Sequence, residues 1–252
     1  MRRFARALLA LTAAAGCVCA GGGPEGARGP AGAPRPAQAA PSTGRERERE
    51  AMVRDQLELR GIRDARVLAA MRAVPRHEFV PDGLRHLAYE DGPLPIGEGQ
   101  TISQPYIVAV MAEALALAGG ERVLEVGSGS GYAAAVLSRL AADVYGIELE
   151  PVLYERSVAT LAALGYGNVH VRLGDGFAGW PEAAPFDAIL ISCAAERIPA
   201  PLWEQLRTGG RLVYPQGAAG GAQELVVVTK TPEGPRERAL APVRFVPMRR
   251  AP

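Results

Sequence analysis

Two hydroxyl side chains, those of Thr101 and Ser103, lie in the segment IGEGQTISQPY at residues 96–106, which is otherwise rich in turn-forming residues. A serine becomes a nucleophile when an adjacent base removes its proton, and otherwise it serves as a hydrogen-bond donor or acceptor. No histidine lies close to Ser103 in the sequence. The segment therefore indicates a reaction that needs a serine without an obvious base.

A glycine-rich segment, EVGSGSGY at residues 125–132, follows a predicted strand and opens a predicted helix. This is the context of a nucleotide-binding turn, in which Gly127 permits the sharp turn and Gly129 lets a ligand approach backbone N–H groups. The third glycine, Gly131, comes one residue earlier than in the dinucleotide pattern, which disfavours NAD. The glycines also fit any sharp strand–helix turn, and that plainer interpretation stays open here.

Two acidic residues follow the next two predicted strands. Glu148 ends the second strand, about twenty residues past the glycine loop, where a carboxylate accepts hydrogen bonds from ribose hydroxyls. Asp175, in the tripeptide GDG, ends the third strand, where it could accept from an adenine amino group; an Asx-turn is the alternative. Together with the glycine loop, these positions predict a cofactor that carries adenosine.

Strands and helices alternate along the second half of the chain, which predicts an α/β fold with a doubly wound, mostly parallel sheet and its ligands at the carboxyl ends of the strands. Two further runs, at 224–230 and 243–247, are predicted as antiparallel strands because no helix-length segment separates them. The predicted parallel strands are 122–127, 143–148, 169–176, 186–194 and 210–215.

The region before the glycine loop is predicted to be helices and loops. Apolar residues at helical spacing predict helices near 52–59 and 67–71, and another at 107–117. The intervening stretch, 77–105, contains too many turn residues for regular elements, and long ordered loops are often functional. The charged run RERERE at 45–50 is interpreted as a solvated helix start.

Composition excludes several classes of protein. The 252 residues carry a formal net charge of +1, which lacks the basic footprint of a nucleic-acid-binding protein. The three cysteines, at positions 17, 19 and 193, cannot form a disulfide framework, and no cysteine–histidine pattern has metal-ligand spacing. We therefore expect no metal site, and we interpret Cys193 as a small buried residue.

The N-terminus differs in composition from the rest of the chain. Residues 1–20 have the basic start and apolar stretch of a secretory signal, with a lipoprotein-type site conceivable at Cys17. An unstructured extension, or a start codon placed ahead of Met52, is the alternative. Residues 21–50 are expected to be a disordered Gly/Pro/Ala linker followed by the charged run, and residues 51–252 a single domain.

The sequence resembles the protein-L-isoaspartate (D-aspartate) O-methyltransferases from about Gln56 to Pro247. The resemblance implies a class I S-adenosylmethionine-dependent methyltransferase sheet of seven strands, with an antiparallel edge hairpin and an N-terminal helical and loop extension. It also implies methylation of the free α-carboxylate of L-isoaspartyl residues, followed by a succinimide that reopens partly to aspartate. The motifs that carry it are AVPRHEFVP (73–81), LPIGEGQTISQP (94–105), RVLEVGSGSGY (122–132), GDG (174–176), PFDAILIS (185–192), GGRLVYPQG (209–217) and VRFVP (243–247).

The resemblance also assigns roles to individual residues. It gives Ser103 the catalytic role and places Thr101 beside it in the substrate loop. Tyr106 departs from the pattern, because some members of the family have histidine after the loop proline. The positions that match cofactor-binding residues are Glu125, Gly127, Ser128, Gly129, Gly131, Glu148, Asp175 and Gly176.

The implied substrate answers the question of the missing base. A carboxylate has an unperturbed pKa near ~4 and is already ionised at neutral pH, so Ser103 needs only to hold it in line. Three alternatives remain: a methyltransferase for another carboxylate or a small molecule, an NAD-dependent oxidoreductase, and a non-catalytic binding protein. The expected partners are isoaspartyl proteins and peptides, without nucleic acid or a stable membrane partner, and the expected state is a monomer. The cofactor favours the cytosol, whereas the leader-like residues favour export to the periplasm or lipidation.

Overall fold

A helical extension opens the part of the chain that the computed structural model describes, which is residues 45–218 and 220–251. It consists of α1 (Glu46–Met52), a π-helical segment (Val53–Glu58) and α2 (Ala65–Ala73). The Asp64 side chain caps α2 by accepting hydrogen bonds from the amides of Arg66 and Val67. These elements confirm the two predicted helices, whereas the predicted leader and most of the linker lie outside the described residues.

The charged run begins a helix, as the sequence indicated, because α1 starts at Glu46 within that run. The interpretation of the run as wholly solvated is wrong for Arg49, which is buried and donates hydrogen bonds to the carbonyl of Arg72 and the hydroxyl of Tyr89. The alternating charges of the run do not indicate that Arg49 is buried, because its hydrogen-bond partners, Arg72 and Tyr89, lie in distant segments of the sequence.

The loop-rich stretch contains a small hairpin that the sequence did not predict. Two 3₁₀ turns, Arg76–Phe79 and Asp82–Leu87, lead to β1 (Leu94–Gly97) and β2 (Gln100–Ile102), which pair antiparallel. Helix α3 (Pro105–Leu115) follows after two residues, with proline in its first turn. Ser103 therefore lies in a two-residue connection between a strand and a helix.

Seven strands form the main sheet in the described part of the chain: β3 (Arg122–Val126), β4 (Asp143–Glu148), β5 (Val169–Leu173), β6 (Phe186–Ile191), β7 (Leu206–Gln216), β8 (Gln223–Thr231) and β9 (Gly234–Val243). Their order across the sheet is β5-β4-β3-β6-β7-β8-β9. The first five in chain order run parallel, and β7–β8 and β8–β9 pair antiparallel, which confirms the predicted sheet with its edge hairpin. From β3 the chain adds β4 and β5 on one side and then β6 and β7 on the other. At such a change of direction the connections after neighbouring strands diverge, so a crevice forms at the carboxyl ends of β3, β4 and β6.

Both faces of the sheet are covered, which explains the continuous apolar runs in its central strands. In β3, Val123 belongs to the apolar cluster on one face, and Leu124 and Val126 belong to the cluster on the other. The remaining helices are α4 (Tyr132–Leu137), α5 (Pro151–Ala163) and α6 (Ala200–Gln205). None of the helices between residues 45 and 251 is long and apolar enough to cross a membrane.

The last predicted strand was misplaced. Residues 234–243 form β9, whereas of the predicted strand 243–247 only Val243 belongs to it and Pro247 makes an isolated bridge to Ala194. The sequence of β9 contains two prolines and three charged residues, a composition that suits an edge strand with one solvated side and hides it from a search for apolar runs.

Candidate active site

The glycine loop connects β3 to α4 at the centre of the crevice. Gly127, Gly129 and Gly131 all have positive φ, at 82°, 54° and 87°, which only glycine adopts at little cost. A Cβ at Gly131 would lie 3.1 Å from Leu161 Cδ1, so this glycine also lets α4 approach α5 closely. The predicted turn is therefore present.

The amides of the loop are used within the protein. The N–H groups of Gly127 and Ser128 both donate to the carbonyl of Ile147, and the N–H of Gly129 donates to Glu148 Oε2 at 2.6 Å. The Gly129 amide is thus occupied by Glu148, and the approach of a ligand to the backbone of this loop stays a prediction. The loop contributes close approach and a fixed shape, and its donors hold Glu148 in place.

Glu148 ends β4 and is almost completely buried. Its Oε1 atom accepts hydrogen bonds from the amides of Leu149 (2.8 Å) and Glu150 (2.9 Å), while Oε2 accepts from Gly129. Three backbone donors thus fix the orientation of the carboxylate beside the glycine loop. Each oxygen still has acceptor capacity for a ligand hydroxyl.

Asp175 and Gly176 follow β5 at the same edge. Asp175 Oδ1 caps a short 3₁₀ turn by accepting from the amide of Phe177 at 2.8 Å, so the Asx-turn alternative describes this oxygen correctly. The cavity beside the loop is lined by Gly174 and Gly176, and not by Asp175 itself. A Cβ at Gly176 would lie 2.4 Å from Val126 Cγ1. The backbone at Gly176 therefore lies too close to β3 for any side chain to fit between them.

Glu125, in β3, is the most unusual charged group of the site. Only 1% of its surface is exposed, and neither carboxylate oxygen has a hydrogen-bond partner with normal geometry. Burial, reinforced by the negative charge of Glu148, raises the pKa of Glu125 to about 8, although the nearby hydroxyls of Ser128 and Ser192 oppose this shift. A buried carboxyl without partners is costly, and a cation in the adjacent cavity would relieve that cost.

Three neighbouring cavities, which share some of their lining residues, surround these residues. The cofactor groove, about 70 Å³, is bounded by the glycine loop, Glu148 and Gly176. The inner cavity, about 40 Å³, reaches Glu125 and Ser128 beneath the loop. The outer cavity, about 420 Å³, opens beyond the hairpin and is the largest of the three.

The cavities meet at a small group of hydroxyl side chains. Thr101 and Ser192 line all three cavities, and Ser103 lines the inner and outer ones. The structure therefore brings Thr101 and Ser103 together with the predicted cofactor residues Glu125, Gly127, Ser128, Gly129 and Glu148. Gly131 does not line these cavities and instead allows α4 to pack closely on α5.

Two features of the site were missed by sequence reasoning. Ser192 directly follows β6, so the rule that ligands meet the carboxyl ends of strands could have identified it. The segment after β9 gave no such signal, yet Arg244 and Val246 line the outer cavity and Met248 and Arg249 line the cofactor groove. Hydrogen bonds from Ala194 to the Val246 carbonyl and from Met248 to the Ala194 carbonyl hold this segment across the crevice.

Cys193, the next residue after Ser192, is buried as expected, with 8% of its surface exposed. Burial raises the pKa of its thiol to about 12, so it stays protonated and is a poor nucleophile at neutral pH. Within the described residues, none of the cavities that Ser103 lines contains a histidine. The site can therefore orient and desolvate a reactant, but it offers no obvious proton relay.

Comparison with known proteins places the chain among methyltransferases. The family model described as protein-L-isoaspartate(D-aspartate) O-methyltransferase (PCMT) matches residues 47–251. The protein named protein-L-isoaspartate O-methyltransferase 2 of Anaeromyxobacter sp. (strain Fw109-5) is 73% identical over 205 residues, which cover 81% of this chain and 84% of that relative. Its counterpart from Opitutus terrae is 56% identical over 214 residues, covering 85% and 92%.

Solved structures agree with this similarity. A chain named protein-L-isoaspartate O-methyltransferase superposes with a TM-score of 0.71 at 30% identity, covering 79% of this chain and 65% of that one. A Plasmodium falciparum structure described as a protein-L-isoaspartate O-methyltransferase in complex with S-adenosyl-L-homocysteine gives a TM-score of 0.68 at 25% identity, covering 80% and 98%.

Proposed function

The chain belongs to the protein-L-isoaspartate(D-aspartate) O-methyltransferase family, and we propose that it transfers a methyl group from S-adenosyl-L-methionine to the free α-carboxylate of L-isoaspartyl residues in damaged proteins. The methyl ester then closes to a succinimide, which reopens partly to normal aspartate. The observation that carries the proposal is the position of Ser103, where the outer cavity meets the inner one beneath the glycine loop.

The residues around the cofactor groove suit this cofactor. When bound, S-adenosylmethionine supplies a methyl group on a positively charged sulfonium. Glu148, oriented by three amides, would accept hydrogen bonds from the ribose hydroxyls. Asp175 does not line the groove, and it would act by capping the turn that places Gly176 in the groove wall. Glu125 would complement the cationic methionine end, because its carboxyl is buried without a partner beside the inner cavity. Of the remaining cofactor residues, Gly127, Ser128, Gly129 and Gly176 would form the walls, and Gly131 would act indirectly by letting α4 pack on α5.

Ser103 would hold the substrate carboxylate. The free α-carboxylate is ionised at neutral pH, so no residue has to remove a proton before it attacks the methyl group. A hydrogen bond from Ser103 to one carboxylate oxygen fixes the direction of the other, and such bonds to charged groups contribute roughly 1.5–3 kcal/mol. Thr101 and Ser192 lie at the same junction and would exclude water around the reacting atoms.

A pair of peptides tests the proposal. Purified protein would be incubated with radiolabelled S-adenosylmethionine and a peptide that contains one L-isoaspartyl residue, beside a peptide of the same sequence with normal aspartate. We expect labelled, base-labile methyl ester only on the first peptide. Equal labelling of the two peptides would contradict the proposed selectivity and support a methyltransferase for other carboxylates. A small panel of free carboxylic acids in the same assay would identify that alternative directly.

We propose that the protein acts as a monomer in the cytosol, where S-adenosylmethionine is made. Sequencing of the mature N-terminus from the native host tests the compartment. An unprocessed N-terminus at Met1 or Arg2 supports the cytosol, whereas a lipid-modified Cys17 or a start just after residue 20 supports export. Light scattering of the purified protein measures its mass.

A further inference from the structure

The connection that carries Ser103 is held from two directions. On one side, β1 and β2 pair through Leu94 with Ile102 and Pro95 with Thr101, which fixes the chain up to the residue before Ser103. On the other side α3 begins at Pro105, and its backbone bonds start from the carbonyl of Gln104. Side chains close to Ser103 can therefore fix the orientation of β2 relative to α3.

Four side chains close a ring of contacts at this point. Gln104 Nε2 donates a hydrogen bond of 2.7 Å to Asp91 Oδ1. The guanidinium of Arg60 donates to both oxygens of Asp91, at 2.9 and 3.1 Å, and its carbon lies 3.6 Å from the centre of the Tyr106 ring. Tyr106 is two residues from Gln104 in the sequence, so these contacts form a closed loop next to Ser103.

We propose that Arg60, Asp91, Gln104 and Tyr106 form a clasp that positions Ser103 for methyl transfer. This role for the clasp rests on the proposed function. The four residues are positioning residues, because they act on the reaction through Ser103. Arg60 follows the π-helical segment in the N-terminal extension, so the clasp gives that extension a part in the reaction although it lies outside the sheet.

The energies of such contacts suggest how the clasp works. About 40% of the Arg60 side chain is exposed, as is 42% of Asp91, and an exposed ion pair contributes little to stability. A cation above an aromatic face at an exposed site contributes a similarly small amount. These contacts are too weak to hold the fold together, but they share one guanidinium and can restrict the connection to one orientation. We therefore expect the clasp to affect turnover more than stability.

The clasp also explains the residue at position 106. A tyrosine ring is neutral at physiological pH and attracts the guanidinium of Arg60 through its face. Histidine, which some members of the family carry here, would be partly protonated and would repel that cation. Tyr106 therefore suits the guanidinium of Arg60, which lies far away in the sequence.

Mutants of the clasp test the proposal in two assays. Arg60→Met and Tyr106→Leu should each lower kcat for the isoaspartyl peptide about fivefold to tenfold, and the double mutant should be no slower than the slower single mutant. Tyr106→Phe should restore most of the turnover because it keeps the ring. Arg54→Met is the matched control, since Arg54 lies in the same extension but pairs with its neighbour Asp55.

The decisive comparison places Arg60→Met in a Ser103→Ala background. If Arg60 acts through Ser103, the added mutation should change kcat less than twofold, whereas a full fivefold to tenfold loss would overturn the proposal. S-adenosylmethionine affinity, measured by calorimetry, should stay within twofold in every clasp variant, because none of the four residues lines the cofactor groove.

Hydrogen exchange separates the clasp from the proposed function. Without substrate, Arg60→Met should increase amide exchange about tenfold in peptides that cover residues 98–108, and Arg54→Met should not. Unchanged exchange would overturn the clasp. A wild-type protein that fails to methylate the isoaspartyl peptide would instead contradict the proposed function, while the exchange result would still decide whether the clasp holds the loop.

Discussion

The two proposed sides of the site, the cofactor side along the glycine loop and the substrate side around Ser103, differ in what gives them their shape. On the cofactor side, backbone groups determine most of the shape. Three amides orient Glu148, and Gly176 lies so close to Val126 that a methyl group would not fit between them. On the substrate side, side chains from separate segments meet around the outer cavity. They include Ser103 in the connection after the hairpin and Arg244 after the last strand.

This difference teaches which properties can vary independently. A backbone-built groove is fixed by the packing of the sheet, so most substitutions there disturb folding and cofactor binding together. Side chains around an open cavity can change with little effect on the core, and they alter substrate binding or turnover instead. Substitutions on the two sides should therefore separate into two kinetic classes.

The largest effect is expected at Gly176. In Gly176→Ala the new Cβ would lie 2.4 Å from Val126 Cγ1, so the strand or the loop must move into the groove. We expect S-adenosylmethionine affinity to fall about 100-fold and stability to fall by ~1–3 kcal/mol, as for other overpacked sites. Calorimetry and thermal unfolding measure the two quantities.

Gly174→Ala is the matched control for that change. Its Cβ would lie 3.9 Å from Arg172 Nε and 4.0 Å from Ile147 Cγ2, which are ordinary contacts. We expect affinity within threefold of wild type. If both variants bound the cofactor equally well, the groove would not be limited by backbone packing, and the contrast between the two sides would be lost.

Ser103→Ala tests the substrate side. Losing one hydrogen bond to a charged group costs roughly 1.5–3 kcal/mol, which predicts a tenfold to hundredfold fall in kcat. Cofactor affinity and stability should be unchanged, because Ser103 makes no side-chain hydrogen bond within the described residues. Steady-state kinetics with the isoaspartyl peptide provide the measurement. Turnover close to wild type would show that Ser103 only shapes the connection.

The cofactor side was largely predictable from the sequence, for a physical reason. Glycines with positive φ and acidic residues at strand ends are local features, so the pattern from Gly127 to Glu148 carries its own structural context. The order of the parallel strands follows from their alternation with helices in the same way. What the pattern missed was the use of the amides, since the sequence does not show that Gly129 donates to Glu148.

The substrate side was less predictable because its contacts are distant in the sequence. Arg60 and Tyr106 meet across more than forty residues, and Arg49 reaches the carbonyl of Arg72 in another helix. The strand β9 is polar and carries prolines, so the following segment was mistaken for the strand itself. Long-range packing decides these features, and no local propensity reports it.

Glu125→Gln sharpens the comparison by removing an ionisable carboxyl from the cofactor side with little change in side-chain shape. The pKa of Glu125 is raised to about 8 in the folded protein from an ordinary value of 4.5, so the folded state holds the proton more tightly than the unfolded state. Its contribution to stability is therefore present below pH 4.5 and is lost as the pH rises towards 8. The variant should lack this decline, as pH-dependent unfolding of the protein without cofactor would show.

The same substitution should lower S-adenosylmethionine affinity about tenfold, because a neutral amide replaces a carboxylate near the cationic end of the cofactor. Binding to wild type at pH 7 should also release a proton, as the cation lowers the pKa of Glu125. Calorimetry in buffers with different ionisation enthalpies measures that release. A wild-type protein that binds the cofactor without releasing a proton would place the cation elsewhere.

The smallest effect is expected at Arg244. Among the described residues that line the outer cavity it is the sole charged one, its side chain is exposed, and the proposed substrate is an anion. Exposed ion pairs contribute only ~0.2–1 kcal/mol, so Arg244→Gln should raise KM for the isoaspartyl peptide about twofold to fivefold and leave kcat unchanged. The increase should disappear at 0.5 M salt, where charges are screened over a few ångströms. Arg238→Gln, on the exposed side of β9, should change neither constant, and an equal rise in KM there would mean that overall charge, and not the outer cavity, attracts the peptide.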